Sequence, residues 1–585
     1  MSAFRRCPLL LPALLAALGL LAAQSVMAAP RAGTLDSLGR WLDGLDAFGF
    51  TGQATVALGD SLLFEHAFGD ADGHGRPVGL ATGFAAGSIT KSVTAAITLR
   101  LAAEGRFALD DSLGRLLPGV PAGKARITPR QLLSHLSGLP EDAEGVFEEY
   151  SRDEVVRATL AAPLSRPPGT GFLYSNAGFQ LLAAIAERAS GVAFPRLADS
   201  LMLAPAGMTG SGLGRAYARG RSDAATGRNE WLMSGSFRDW RQPWAGSGAG
   251  DMVTTAHDLW RWARALQNGG ALAPALRDSL IARRVPVHPG LDYGCGAWLI
   301  EREAQPDLVS LGGDVPGYHA GVWFDRDAQG GIVALTSTGE RWGRRLPVAA
   351  AQRALWLLLR GQPVGLPPET VRWPQERLQS FAGNWTLSPS GRLSLVRDGA
   401  GLRMQLTGSA AMTLAQGSDS SGARALVEGR AADIVRALAA AGDSALAGVL
   451  LPIERGWIPE LHRLAADHES AHGPLIDAVI DGTVALPWLN RGLRTYVRLH
   501  SRRGDSNVSF AWLAGGLIDV AAGEVRPAPE ILPVAPLADG GLGAWDLLDG
   551  TLVRIEPFAD ARGPGLRLRG NGVLFIARRE AHGRP

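Results

Sequence analysis

Ser88 and Lys91 stand three residues apart in GSITKSVTAAI, at the head of an apolar segment with a helical pattern. Residues i and i+3 share one face of a helix, so the serine hydroxyl and the lysine amine can touch. A neutral lysine can take the serine proton, and a helix N-terminus favours the developing negative charge. The same spacing also fits an N-capping serine before an ordinary helix. By itself the pair therefore predicts either a nucleophile with its base or a helix start.

The use of lysine favours the nucleophile. Of the 58 basic side chains, only Lys91 and Lys124 are lysines, and the other 56 are arginines. Arginine keeps its proton near neutral pH, whereas a buried lysine can lose it. Chance could also leave a lysine at position 91, so the interpretation depends on what accompanies it.

Two further stretches carry polar groups or glycines beside apolar runs. In PPGTGFLYSNAGFQ, Tyr174 and Asn176 precede an apolar helix, where a tyrosine can relay a proton and an asparagine can bind an amide carbonyl. In LGGDVPGYHAGVWFD, Gly312 and Gly313 let the backbone approach a ligand closely. The alternatives are a loop tyrosine beside a helix cap and a tight hairpin entry.

Together these stretches resemble the serine β-lactamase and penicillin-binding-protein superfamily, in its class C β-lactamase-like branch of esterases, D-aminopeptidases and DD-carboxypeptidases. The matching motifs are F-x-x-G-S-x-T-K at 84–91, Y-S-N at 174–176 and G-G-D-V-P-G at 312–317. The segments ITPRQLLSHLSGLP at 127–140 and WAGSGAGDMVTTAHDL at 244–259 match as well. The resemblance covers about residues 33–350.

The resemblance implies a role for each matching residue. Ser88 would be the acylated nucleophile, Lys91 its general base, and Tyr174 the group that exchanges protons with the leaving group and then with water. Asn176 would orient the substrate. The oxyanion hole would use the backbone N–H groups of Ser88 and of a residue on the strand after Gly313. Neither a metal nor an organic cofactor is implied.

One position departs from the pattern. The branch usually has H-x-G or K-T-G on this strand, and here Leu311 occupies the basic position. Leucine cannot donate a hydrogen bond or carry charge, which puts recognition of a substrate carboxylate in doubt. His319 could supply part of that function from the turn, although a solvent-facing histidine is the ordinary outcome.

The elements that must position these residues belong to an α+β multidomain protein. Residues 33–360 alternate β-like and helix-like runs, and the resemblance implies an antiparallel sheet flanked by helices. The C-terminal part shows short alternating strands, which predict a β-barrel-like region with a small α+β insertion. The predicted boundaries are a signal peptide at 1–28, a hydrolase domain at 30–362, a linker at 363–374, a lipocalin-like β domain formed by 375–420 with 526–585, and the insertion at 421–525.

A second motif, HESAH at 468–472, matches the zinc-protease pattern H-E-x-x-H. His468 and His472 would share a helix face and could bind a metal. However, Gly473 and Pro474 follow at once, and the flanking sequence offers no obvious third ligand. We therefore predict no metal site here, and a zinc peptidase is the weakest of the functional alternatives.

The N-terminus indicates export. Arg5 and Arg6 precede an apolar run and then small residues near Ala28, the pattern of a cleaved secretory signal. Cleavage would leave Cys295 as the one cysteine, with no intrachain disulfide. The net charge of +2 lacks the basic excess typical of nucleic-acid binding. We expect a secreted protein, in a bacterial periplasm, without a transmembrane segment in the mature chain.

The sequence thus predicts an exported serine hydrolase with a Ser88 acyl-enzyme. Its substrates would be small esters, amides or D-amino-acid peptides. The rival hypothesis is a catalytically impaired penicillin-binding-like protein that binds cell-wall fragments or a protein partner. Leu311 favours the rival, whereas Ser88, Lys91, Tyr174 and Asn176 argue against it.

Overall fold

The structure is a computed structural model of the whole chain. It describes residues 34–48, 50–142, 151–227, 235–237, 244–269, 272–282, 284–288, 291–301, 307–315, 317–326, 330–338, 340–341, 344–345, 348–362, 364, 367–388, 391–398, 401–416, 422–439, 443–486, 492–513, 515–522, 530–545 and 552–580. The predicted signal peptide lies outside these residues. The chain divides into two compact units, of which one ends at Val364 and the other follows it.

The first unit is built on an antiparallel sheet. In the described chain its eight strands are β1 Thr51–Leu58, β2 Ser61–Phe68, β3 Val285–His288, β4 Leu291–Tyr293, β5 Trp298–Ile300, β6 Leu308–Val315, β7 Tyr318–Asp325 and β8 Gly331–Thr338. Their order across the sheet is β2-β1-β8-β7-β6-β5-β4-β3. All residues of β7 and β8 are buried, as expected for central strands covered on both faces.

Helices surround this sheet. Those of ten residues or more in the described part of the unit are α1 Thr34–Asp46, α2 Thr90–Ala103, α3 Arg152–Ala161, α4 Asn176–Ser190, α5 Ala256–Asn268 and α6 Val348–Leu359. Shorter helical segments are Leu113–Leu116, Pro129–Leu133, Phe194–Ala198, Asp199–Leu203, Gly214–Gly220 and Pro274–Leu280. Short strands at Phe84–Ala85, Gly212–Leu213 and Met252–Thr254 form a separate three-stranded sheet.

Local sequence explains the ends of the longer helices. The Ser175 side chain accepts a hydrogen bond from Gly178 N and begins α4, and Gly191 ends it with a φ of +73°. The α2 segment TKSVTAAITLRLAA is buried around nearly its whole circumference, because it passes through the middle of the unit. The nucleophile candidate therefore stands at the start of the most enclosed helix described in the unit.

The second unit contains a closed barrel. Its strands are β9 Gly383–Ser388, β10 Arg392–Asp398, β11 Gly401–Thr407, β16 Glu530–Pro536, β17 Leu542–Trp545, β18 Leu552–Asp560, β19 Gly563–Gly570 and β20 Val573–Arg579. Side chains such as Met404, Leu406, Leu568 and Phe575 fill the interior. Near the start of the unit, Thr370 forms a β-bridge with Leu537.

An α+β segment is inserted between barrel strands β11 and β16. It contains the four-stranded sheet β12 Asp477–Leu486, β13 Gly492–Ser501, β14 Gly504–Leu513 and β15 Gly516–Ala522. Helix α7 Ser409–Gln416 precedes the inserted segment. The helices of the segment itself are α8 Ala423–Ala439, α9 Asp443–Val449 and α10 Ile458–His472. The predicted fold class, an antiparallel sheet flanked by helices and followed by a barrel with an α+β insertion, is confirmed. Among the described residues, none of the helices has the length and apolar character that a membrane crossing requires.

Candidate active site

Ser88 and Lys91 are in contact at the start of α2. Ser88 lies in a single 3-10 turn, Gly87–Ile89, that runs directly into the helix. Lys91 Nζ lies 3.0 Å from Ser88 Oγ. Ser88 is half-buried, whereas Lys91 is 1% exposed. The structure therefore joins the two groups whose spacing predicted the pair, and it leaves the serine accessible from one side.

The surroundings of Lys91 favour its neutral form. Its amine donates a hydrogen bond to Ala249 O at 2.8 Å and lies 4.9 Å from the centre of the Tyr174 ring. Burial lowers the pKa of Lys91 from 10.5 to about 7, although the negative charges of Asp142 and Glu141 partly oppose this shift. A substantial fraction of Lys91 is thus unprotonated near neutral pH and able to accept a proton.

Tyr174 completes a three-residue group around the nucleophile. Its hydroxyl shares a hydrogen bond with the Ser88 side chain. Burial raises the pKa of Tyr174 well above its usual value, and the bond to Ser88 only partly offsets that rise. The phenol is therefore protonated over the physiological pH range and can donate to Ser88 Oγ or to a group that replaces it.

Asn176 begins α4, two residues beyond Tyr174. Its Nδ2 donates to Asp142 Oδ1 at 3.0 Å and Oδ2 at 3.2 Å, and its backbone N–H donates to Glu141 O at 2.8 Å. Desolvation raises the pKa of Asp142, although part of its surface is accessible, while the Asn176 bond and the Lys91 charge lower it. Residues 141–142 thus fix the position of the Asn176 amide beside the site.

Strand β6 passes very close to the nucleophile turn, and glycines make this possible. A Cβ added at Gly313 would lie 1.9 Å from Ala86 O and 2.7 Å from Ser88 N. From the other side, Gly87 has a φ of +52°, and a Cβ there would lie 2.8 Å from Asp314 N. The backbone amides of Ser88 and Asp314 therefore border the same close approach, the arrangement that two oxyanion-hole donors require.

Successive side chains along β6 point to opposite faces of the sheet. Leu311 shares a face with Gly313 and is 1% exposed, within the same apolar cluster as Ile89 and Val93. Gly312 is exposed, and a Cβ added there would meet no atom within 4 Å. Leu311 thus contributes an apolar side chain beneath the nucleophile turn, and Gly312 leaves open space at the strand edge.

His319 does not face solvent, so that expectation is wrong. It is 2% exposed, because β7 is a central strand with both faces covered. His319 pairs across the strands with Asp314, and its Nδ1 lies 2.5 Å from Asp314 Oδ1. Two residues along β7, a Cβ at Gly321 would contact Gln352 of α6, which identifies the face. His319 therefore supports Asp314 from the α6 side of the sheet.

Several groups around the site were not identified from the sequence. They are Ala249, whose carbonyl binds Lys91, Asp142, Asp314, and His135, which contacts the Tyr174 ring. Ala249 and His135 lie in segments 244–259 and 127–140, which carried the family resemblance without an assigned role. The resemblance of these two segments to the family was the sequence signal that could have pointed to Ala249 and His135.

His468 of the HESAH motif has a structural role in the second unit. His468 Nδ1 lies 2.5 Å from Ser506 Oγ, and its Nε2 lies 2.8 Å from Ser501 Oγ. Both ring nitrogens are therefore engaged by serine hydroxyls within the α+β insertion. Across the residues that the structure describes, no group of three or more His, Cys, Asp or Glu side chains is placed to hold a metal ion.

The match to a known family falls within the first unit. The sequence model of the family described as Beta-lactamase matches residues 49–355. A penicillin-binding protein of Bacillus subtilis (strain 168) is 24% identical over 63% of this chain and 87% of its own length. Esterase EstB of Burkholderia gladioli is 32% identical over 27% of this chain and 46% of its own. The crystal structure of a D-amino acid amidase from Ochrobactrum anthropi SV3 complexed with D-phenylalanine is 21% identical, with a TM-score of 0.48, over 56% of this chain and 99% of that one.

Proposed function

We propose, from the premise that this chain belongs to the beta-lactamase family, that it is a serine hydrolase that forms an acyl-enzyme on Ser88. The observation that carries the proposal is the 3.0 Å contact between Ser88 Oγ and the buried amine of Lys91. A lysine with a pKa of about 7 is matched to accept a proton from a serine at neutral pH.

The proposed reaction has two halves. In the first, Lys91 accepts the Ser88 proton while Oγ attacks the substrate carbonyl, and the amides of Ser88 and Asp314 stabilise the oxyanion. The proton returns to the leaving group through Tyr174, and the acyl-enzyme remains. In the second, a water molecule gives a proton to the same groups and attacks the acyl carbonyl. The bond between the acyl carbon and Ser88 Oγ then breaks, Oγ takes up that proton, and the acid is released.

We test this by intact-mass analysis after exposure to a fluorophosphonate and, separately, to a penicillin. The wild type is expected to gain one fluorophosphonate adduct, whereas Ser88→Ala is expected to gain no adduct with either reagent. Ser92→Ala is the matched control, because Ser92 lies one turn further along α2 and bonds with Ile89 O and Trp262 Nε1. It should be labelled. No adduct on the wild type would contradict the hydrolase and favour the binding-protein alternative.

For the substrate we propose an ester or amide without a carboxylate near the scissile bond. Esterases and penicillin-binding proteins are both among the relatives, so the local chemistry must decide. The apolar Leu311 occupies the position where the resembled branch usually has a basic residue. Glu141, Asp142 and Asp314 are close enough for their charges to act on Tyr174. An excess of negative charge beside the nucleophile favours neutral or cationic substrates.

This predicts a preference that can be measured with two substrates. D-alanine nitroanilide, which carries a free ammonium group, should exceed an acylated D-alanyl-D-alanine in kcat/KM by at least about tenfold, or roughly 1.4 kcal/mol. Asp142→Asn should reduce that ratio, and salt should weaken it. Asp278→Asn removes an acid that pairs with Arg277 on the helix Pro274–Leu280 and serves as the control. A ratio favouring the carboxylate substrate would refute the preference.

A further inference from the structure

His135 has an unusual backbone conformation. It follows the short helix Pro129–Leu133, is completely buried, and has a φ of +55°. Among the non-glycine residues that the structure describes, only His135 and Asn571 have positive φ. This region is unfavourable for side chains with a Cβ, and such conformations persist where the surrounding structure imposes them. The contacts of His135 indicate what imposes it.

Two hydrogen bonds join His135 to the residues on either side of Tyr174. Leu173 N–H donates to His135 O at 2.9 Å. Ser175 N–H donates to His135 Nδ1 at 3.0 Å. The left-handed backbone turns the carbonyl and the ring of one residue toward the same segment. Tyr174 is thus bracketed by a single residue that binds both of its neighbours.

The ring of His135 also supports the Tyr174 ring directly. The two ring centres are 4.3 Å apart, at an interplanar angle of 31°. On its far side, His135 Nε2 lies 3.0 Å from Tyr293 Oη, on strand β4. Tyr293 is itself buried in the sheet. His135 therefore links Tyr174 to strand β4 of the sheet, and this link helps to fix the position of the Tyr174 hydroxyl.

Both ring nitrogens of His135 are engaged, and this defines its protonation. Nδ1 accepts from Ser175 N–H, so the single ring proton lies on Nε2 and is donated to Tyr293 Oη. Burial, and then the charge of Lys91, lower the pKa of His135 well below 6.5. The neutral ring is the form that these bonds need, and it has no free nitrogen for proton transfer to substrate.

We propose that His135 is a positioning residue that fixes the Tyr174 hydroxyl against Ser88 by bracketing residues 173–175. The inference rests on the proposed acyl-enzyme function, since it assigns His135 to that reaction through Tyr174. The Ser88–Tyr174 hydrogen bond joins segments more than 80 residues apart in the sequence, and small displacements of reacting groups are costly to the rate.

The test compares His135→Ala with His135→Asn. Alanine removes the acceptor for Ser175 N–H and disfavours positive φ. Asparagine tolerates positive φ, and its Oδ1 stands near the position of Nδ1. His135→Ala should lower the rate of Ser88 labelling and kcat by about 10- to 100-fold, with KM changed less than about threefold. His135→Asn should recover about half or more of that loss on a logarithmic scale.

A double-mutant cycle with Tyr174→Phe separates positioning from general support. If His135 acts through the Tyr174 hydroxyl, His135→Ala should cost less than about threefold once that hydroxyl is absent. If urea titrations show that the alanine variant does not fold, the same cycle is run with His135→Gly, which tolerates positive φ and also lacks the ring. The inference would be overturned, and the proposed function left standing, if His135→Ala lowered the rate equally with and without the Tyr174 hydroxyl. Wild-type rates in His135→Ala would have the same consequence. A wild type without any Ser88 adduct would instead overturn the proposed function and the inference with it.

Discussion

Replacing Lys91 with methionine is expected to slow acylation of Ser88 by about 10³-fold, within the range for loss of a general base. The wild-type rate should rise with pH through about 7, because only the neutral amine can accept the serine proton. In Lys91→Met that rise should disappear. Stopped-flow acylation with a nitrophenyl ester from pH 5 to 9 measures both. A variant that keeps the pH-dependent rise would show that another group is the base.

The same substitution should change the pH dependence of stability. Lys91 has a pKa of about 7 in the folded protein against 10.5 normally, so between these values the unfolded chain binds more protons. The free energy of unfolding of the wild type should therefore rise with pH across this window, relative to Lys91→Met, by up to about 1.4 kcal/mol per pH unit. Below pH 7 the cost of protonating the buried amine is fully present. Urea titrations of both proteins at pH 6 to 9 measure the difference, and a constant difference would contradict it.

Gly313→Ala is expected to damage both the nucleophile turn and the fold. The new Cβ would lie 1.9 Å from Ala86 O, and backbone cannot move aside as a flexible side chain can. Overpacking of this kind costs about 1 to 3 kcal/mol. The displaced Ser88 amide would no longer stabilise the oxyanion, which costs about 10²- to 10³-fold in kcat. Denaturant midpoints and ester hydrolysis measure the two effects.

Gly312→Ala is the matched control for that prediction. It makes the same chemical change one residue away, on the opposite face of β6, where a Cβ would meet no atom within 4 Å. Its free energy of unfolding should lie within about 0.5 kcal/mol of the wild type. Equal destabilisation by both substitutions would show that β6 does not approach the Ser88 turn as described.

Local geometry explains how much of the site could be predicted. The contact between Ser88 and Lys91 follows from helical spacing alone, because three residues return the chain to the same face. Tyr174 required the family resemblance, since more than 80 residues separate it from Ser88. The oxyanion-hole strand could be named only as far as Gly313. Assigning Asp314 depends on the register of β6 against the nucleophile turn, which is a tertiary property.

The burial of His319 and the role of His135 lay beyond sequence patterns for a related reason. His319 was placed in the turn after Gly317, yet it lies on a central strand in which every residue is buried. His135 lies at a helix end where its backbone angle is imposed by segments distant in the chain. The strands of the barrel were foreseeable, because a period of two is local, whereas their closure into a barrel depends on tertiary pairing.

The scarcity of lysine has a chemical consequence for labelling. Lys124 is 7% exposed, and its amine donates to Leu160 O and Ala162 O at the end of α3. Both ε-amines of the chain are thus enclosed, and they differ in free-base content at pH 7. Burial lowers the pKa of Lys91 to about 7, so that roughly half of this amine is unprotonated at pH 7, and burial lowers the pKa of Lys124 by less. A small amine-selective electrophile should therefore modify Lys91 before Lys124, and so report on the site without reacting with Ser88.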